Sequence, residues 1–339
     1  MDKDGLNVGM VYDLRREYLA MGYSEEEVTE FDSDETIDAL AGAIEALGHD
    51  VDRVGHGRAL AGRLAGGDRW DLVFNVAEGL RGRSREAFVP ALLELYEIEY
   101  TFSDPLVCAL TLDKAMAKRV VSSAGLPTPQ FCLVAEEDDL QQIDLAYPVF
   151  AKPVAEGTGK GIDGSSRIDS AGRLRDACLR LLARYGQPVI VEEYLPGREF
   201  TTGILGTGRA ARVLGTMEVR ARPGAPDGDY SREMKERCEE FVDYLPMECG
   251  RLRDELEVLA LATYRTLELR DAGRLDFRLD RDGRPAFLEA NPLPGLHPTH
   301  SDLPMIATQQ GMSFVELIAQ IIAGAAARLG LGGGGRRER

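Results

Sequence analysis

Two short stretches near the C-terminal end carry side chains suited to metal-dependent phosphate chemistry. Arg274-Leu275-Asp276 and Leu288-Glu289-Ala290-Asn291 each place polar residues two apart, and on a β-strand such residues share a face. Between them Asp282-Gly283 is a turn signal flanked by alternating apolar runs, so 274–279 and 285–290 read as a hairpin. Asp276, Glu289 and Asn291 then bring three oxygen donors to one side. Mg²⁺ takes hard oxygen ligands and keeps water and phosphate oxygens in the rest of its shell. A solvated hairpin face is the competing reading of this pattern.

A second group suits phosphate directly. Glu156-Gly157-Thr158-Gly159-Lys160-Gly161 is a glycine-rich loop whose backbone N–H groups can wrap an anion, with Lys160 adding charge. It lacks the G-x-x-x-x-G-K-[ST] pattern of a Walker A loop, and a flexible turn would look similar. Lys152 closes the strand before the loop, and Lys114 lies on an upstream helix. Only six of the 40 basic residues are lysine, and five of these fall between 114 and 235. Where arginine serves as the generic surface cation, a retained lysine points to a place that needs a compact ammonium. Upstream of Pro196-Gly197, the run Glu192-Glu193-Tyr194-Leu195 ends a strand and can offer backbone groups to a base edge.

The elements that must position these residues are α/β in pattern. Leu6–Val11, a run from His49 and Trp70–Val76 read as strands. Ile37–Leu47, ended by Gly48, and Phe88–Tyr96 read as helices. Strands alternating with helices favour a parallel sheet. Leu14–Asp34 is acidic and poorly periodic, and reads as an insertion or lid. A boundary is expected near Ser103-Asp104-Pro105, followed by a helix over Thr111–Ala124. Strands over 148–152 and 189–194 bracket a helix over 171–185. Beyond Gly197 come further strands, a helix over 251–267, the hairpin, and a helix over 313–329. The expected organisation is an N-terminal α/β substrate-side unit (1–105), a central unit (106–196), a C-terminal unit with the metal face (197–329) and a disordered tail (330–339).

The formal net charge of −17 argues against nucleic acid or an anionic membrane as partner. The first residues lack a basic segment followed by an apolar one, so no secretory signal is read, and a cytoplasmic protein is expected. The five cysteines are far apart and odd in number, which fits reduced thiols packed as small hydrophobes. A homodimer is the working expectation for assembly.

Taken in order, these pieces resemble the ATP-grasp superfamily, and more closely the D-alanine–D-alanine ligase family. The matching text is Leu112-Asp113-Lys114, Val149-Phe150-Ala151-Lys152-Pro153 with Glu156-Gly157, Val191 through Phe200, Arg274-Leu275-Asp276, Leu288-Glu289-Ala290-Asn291-Pro292 with Pro294-Gly295, and Gly311-Met312-Ser313-Phe314. It covers 105–325 well and 1–104 loosely. The resemblance implies an ATP-grasp fold with an N-terminal parallel-sheet domain. It also implies an ATP-dependent ligase that joins a small-molecule carboxylate to an amine through an acyl phosphate. Lys114 and Lys152 would hold phosphates, beside the charge that Lys160 adds from the glycine-rich loop, and Lys235 would reach the γ-phosphate. Glu192, Glu193, Tyr194 and Leu195 would hold adenine, and Glu199 the ribose. Asp276, Glu289 and Asn291 would bind two Mg²⁺ ions, with Mn²⁺ as a substitute. Arg274 and the Gly295 N–H would stabilise the oxyanion, with Thr158 in place of a loop serine.

The acceptor side departs from the family. Val11-Tyr12-Asp13-Leu14-Arg15 replaces a glycine-rich N-terminal loop, leaving Glu35 as the candidate amine-binding carboxylate. Glu78-Gly79 stands where His-Gly is usual, and Arg83-Ser84-Arg85-Glu86 where Gly-Glu-Asp-Gly is. Ser301 is a candidate carboxylate binder, and Asp302 stands where leucine is common. His297 and His300 lack a third ligand and read as pocket residues. An ionised Glu78, its reference pKa being about 4.3, would favour a substrate more cationic than D-alanine. D-alanine–D-alanine ligation is the alternative, and a non-ligase nucleotide-binding protein or small-molecule kinase is the reading from another class.

Overall fold

In the computed structural model, residues 5–225 and 237–330 are described. The chain opens with β1 (Asn7–Val11), α1 (Arg15–Ala20), α2 (Asp34–Ala46), β2 (Asp50–Gly55), α3 (Gly57–Ala65), β3 (Leu72–Asn75) and α4 (Phe88–Leu95). The three strands form a parallel sheet in the order β2-β1-β3. Parallel sheets are covered on both faces, and the residues sort accordingly. Val8 and Met10 face a core shared with Ile37, Leu40 and Ile44 of α2. Val11 faces the other side, with Leu60, Leu64, Val89 and Leu93 of α3 and α4. Gly9 is required by packing, because a Cβ there would meet the Trp70 ring at 2.8 Å.

Two helices follow, α5 (Pro105–Leu112) and α6 (Lys114–Ser123). This corrects the single helix expected over Thr111–Ala124. Asp104 and Asp113 each cap a helix start, accepting the N–H of Val107 and Met116 at 2.9 Å. Asp113 therefore ends one helix and begins the next, and fixes Lys114 as the first residue of α6.

The middle of the chain builds β4 (Phe131–Val134), β5 (Val149–Pro153), β6 (Arg167–Ile168), α7 (Ala171–Tyr185) and β7 (Val189–Glu193). Its antiparallel sheet has the order β4-β7-β5-β6, and Leu174, Ala177, Cys178 and Leu181 of α7 cover one face. The next sheet contains β8 (Glu199–Leu205), β9 (Arg212–Ala221), then after α8 (Cys238–Phe241) β10 (Val242–Pro246), and after α9 (Arg251–Thr266) the hairpin β11 (Ala272–Leu279) and β12 (Pro285–Asn291). Its order is β10-β9-β8-β11-β12, antiparallel throughout. The chain closes with α10 (Asp302–Gln309) and α11 (Phe314–Leu329), the latter capped by a reciprocal Ser313–Glu316 box. Ile318, Ile321 and Ala325 of α11 pack into the α2 core. The C-terminal helix thereby fastens the last sheet to the first.

The segment 14–34 is more ordered than its composition suggests. It carries α1, buries Val28 and Phe31, and stacks Tyr18 against Phe31 with centroids 4.5 Å apart. Cys108, Cys132, Cys178 and Cys249 are free thiols. Among the described residues no single helix is long and apolar enough to cross a membrane. The expected tail falls, from residue 331 on, outside the described residues.

Candidate active site

A cleft runs between the four-stranded and five-stranded sheets, bounded by Lys152, Glu192–Leu195, Glu199, Arg274, Asp276 and Glu289 among others, with an empty volume of ≈ 790 Å³ that includes its opening to solvent. Strand register explains its polar end. Phe150 pairs with Glu192 and Lys152 with Ile190, so Lys152 and Glu192 are diagonal neighbours on one face. Helix α6 supplies the other cations. Lys114 and Lys118 are one turn apart, and each reaches a different carboxylate. Lys114 lies 3.3 Å from Glu289 and donates to the Glu156 carbonyl at 2.6 Å. Lys118 lies 2.9 Å from Glu192, whose other oxygen is 3.0 Å from Lys152.

The Lys118–Glu192–Lys152 triad is buried. Burial pushes the Lys118 ammonium down to about 8, against the pull of Glu192. At Lys152 burial acts the same way, but Glu192 and Glu289 outweigh it and hold the ammonium above its usual range. The two lysines in turn overcome burial at Glu192 and keep its carboxylate below its ordinary value. Glu192 thus organises lysines with its carboxylate. The expected hinge is also partly committed, because the N–H groups of Glu193 and Tyr194 donate to Gln130 and Pro148. Glu199 stands at the start of β8, 3.8 Å from Arg278.

The hairpin forms with its polar residues aligned as expected. Arg274 pairs with Asn291 and Asp276 with Glu289 in register, and Asp276 opposes Thr201 of β8. The Asp276 carboxylate accepts from Thr201 at 2.7 Å and from Arg274 at 2.9 and 3.1 Å. Burial raises the Asp276 carboxyl, and Arg274 opposes that rise. Among the described residues no group of three or more His, Cys, Asp or Glu forms a metal site. The hairpin offers two carboxylates with the Asn291 amide as third donor, a hard-oxygen set that fits Mg²⁺.

A second chamber adjoins the first and shares Arg274, Glu289 and Asp302 with it. Into it face Glu35, Glu78, Thr158, Gly295 and Ser301. Several differ from expectation. Asp302 is an ion-pair partner of Arg274 at 2.6 Å. Ser301 accepts the His297 N–H at 3.0 Å, and Gly295 is needed because a Cβ there would meet the Ser301 hydroxyl at 2.8 Å. The Glu35 side chain is 76% exposed and lies 3.6 Å from His297. Thr158 sits at φ +49°, a left-handed conformation costly for a β-branched residue. Lys160 is turned to carboxylates, 3.5 Å from Glu30 and 3.4 Å from Glu156. Lys235 lies outside the described residues.

The 14–34 segment reaches this chamber. Glu30 accepts the Gly157 N–H at 2.6 Å and pairs with Arg85 at 2.9 Å, so the glycine loop is held by a carboxylate from the N-terminal part. Arg85 also donates to the Ala155 carbonyl at 2.7 Å. The arginines near Glu78 are spent elsewhere: Arg81 on Glu27, Arg83 on Asp113 and Arg85 on Glu30. Burial therefore raises the Glu78 carboxyl well above its ordinary value, with Glu86 and Glu30 adding to the rise. This rise runs against the expectation of an ionised Glu78, a residue that is only half-buried in the chamber. Lys118, Glu30 and Glu86 were not singled out from sequence; the spacing of Lys118 one turn after Lys114, and the scarcity of lysine, were the available signals.

Relatives decide the family. The family model described as D-ala D-ala ligase C-terminus matches residues 120–323. The chain is 34% identical over 275 residues to a D-alanine–D-alanine ligase of Bordetella petrii, covering 80% of each protein. It is 38% identical over 264 residues to one from an Azoarcus species, covering 77% of this chain and 81% of that protein. This chain belongs to the D-alanine–D-alanine ligase family.

It is accordingly an ATP-grasp ligase, as the retained nucleotide-side residues implied. The fold agrees along almost the whole length. A D-alanine–D-alanine ligase from Bacillus anthracis, solved in complex with ATP, superposes with TM-score 0.74 at 19% identity, covering 97% of this chain and 100% of that one. The VanG D-Ala:D-Ser ligase of Enterococcus faecalis superposes with TM-score 0.74 at 21% identity, covering 95% and 100%. At such identities the likeness concerns fold alone.

Proposed function

We propose that this chain joins two D-alanine molecules at the expense of ATP, with Mg²⁺, in the cytoplasm. The observation that carries the choice of amino acid is the 34% and 38% identity to proteins that are D-alanine–D-alanine ligases, over 80% and 77% of this chain. The Glu78 carboxyl is raised above its ordinary value by burial and by Glu86 and Glu30, which weakens the case for a cationic substrate. D-alanine, the substrate named for those relatives, is the reading this likeness supports.

The residues divide the work. Lys152 and Lys114 offer positive charge at the end of the nucleotide cleft, and Glu192 with Lys118 fixes Lys152. Asp276, Glu289 and Asn291 would hold Mg²⁺, which when bound neutralises phosphate charge and draws off charge in phosphoryl transfer. For that, Asp276 must loosen its contacts with Arg274. Arg274 and the Gly295 N–H face the second chamber, where an oxyanion develops when an amine attacks an acyl phosphate. The loop 156–161, held by Glu30 and Lys114, closes this space and keeps water from that intermediate.

The test compares catalytic efficiency for D-alanine, D-serine and basic D-amino acids in the native protein and in Glu78→His. D-alanine should lead in both. A basic amino acid exceeding D-alanine in the native protein would reject this substrate.

A further inference from the structure

Glu86 is only 8% exposed, yet it lines the wall of the second chamber beside Glu78, Asp32 and Lys114. Its Oε2 has no hydrogen-bond partner among the described residues. A buried acceptor left unsatisfied is costly, and each such group in a native structure needs an explanation. The nearby cations do not supply one, since Arg85 is engaged by Glu30 and the Ala155 carbonyl, and Lys114 by Glu289 and the Glu156 carbonyl. The chamber wall therefore holds more carboxyls than cations to match them.

We propose that Glu86 receives the ammonium group of an amino-acid substrate, with Glu78 completing the contact from the same wall. This rests on the reading of the chain as an amino-acid ligase and adds to it the residue that reads the amine. An ammonium brings three N–H donors, enough to satisfy Oε2 and share a contact with Glu78, and its charge balances the acidic wall. It also explains how a Glu86 carboxyl pushed up to about 7 by burial, with Glu30 adding and Arg85 opposing, is drawn into the ionised form when substrate arrives. Glu35, at 76% side-chain exposure and 3.6 Å from His297, has no such burial to give a bound amine a strong contact.

The experiment measures binding of D-alanine and of propionate, which lacks the amine, to the full chain with Mg·ADP by calorimetry. Native protein, Glu86→Gln and Glu86→Asp are compared, and dipeptide formation by the native protein is assayed in parallel. Glu86→Gln should weaken D-alanine by roughly 10- to 100-fold, the range for a charge-assisted bond, and leave propionate unchanged; Glu86→Asp should restore part of the loss. Equal weakening of both probes would show a merely structural role and overturn the inference, as would undiminished D-alanine binding in Glu86→Gln or none in the native protein. Dipeptide formed without Glu86-dependent amine binding sinks this inference and spares the proposed function. Glu86-dependent amine binding without dipeptide does the reverse.

Discussion

Asp302 binds Arg274 at 2.6 Å, on the opposite side of the guanidinium from Asp276. Arg274, proposed above to face the developing oxyanion, is therefore clamped by two carboxylates, one from the hairpin and one from the start of α10. A fixed guanidinium needs no reorganisation as charge develops. Asp302→Asn should loosen the clamp and lower kcat by roughly tenfold, and Arg274→Lys by roughly 10²–10³-fold. Steady-state kinetics beside Mg·ATP binding checks this, and both variants should keep nucleotide affinity.

The buried triad gives a stability prediction. Glu192→Gln leaves Lys118 and Lys152 buried without their shared counter-charge, and breaking a buried pair this way costs about 3–5 kcal/mol. Thermal denaturation should show a large fall for Glu192→Gln. Lys152→Ala should fold and yet lose most of the stabilisation that Mg·ATP gives by linkage.

At the hairpin the expectation is reversed. Glu289→Gln and Asn291→Ala should depress turnover at millimolar Mg²⁺ by at least about tenfold with little change in melting temperature, because both residues line the second chamber and neither belongs to the apolar core. Unfolding of either variant would make the residue structural.

Asp32 gives a pH signature. Burial and the neighbouring Asp13 raise its carboxyl to about 7, against Arg15. A carboxyl with a raised folded pKa binds more protons folded than unfolded, so stability falls as pH rises from about 4 to 7 and then levels. Asp32→Asn should flatten that slope and gain on the native protein most at pH 8. Melting curves at pH 5 and pH 8 measure the difference.

Much of this was legible in the sequence, for local reasons. The hairpin announced itself through alternation and Asp282-Gly283, and Gly283 does turn with φ +77°. Helix α7 was placed over the residues it occupies, because its apolar spacing is regular. The expected helix over Thr111–Ala124 runs through Asp113, a capping signal that splits it, and the boundary read at Ser103-Asp104-Pro105 opens a helix of its own. What stayed hidden depends on contacts distant in sequence. Glu30 meets Gly157 across 127 residues, and no local pattern reports that. At Glu78 the raised carboxyl follows from burial and from Glu86 and Glu30, while the arginines beside it in sequence turn to other partners, and no local pattern reports either.

The central claim meets its most direct test in one assay: D-alanine, Mg·ATP and the native protein, with phosphate release followed continuously and products resolved by mass. The account predicts D-alanine-dependent release of one phosphate per D-alanyl-D-alanine formed, with ADP as the nucleotide product. Phosphate release that does not depend on D-alanine, or no dipeptide from a protein that binds Mg·ATP, would contradict it.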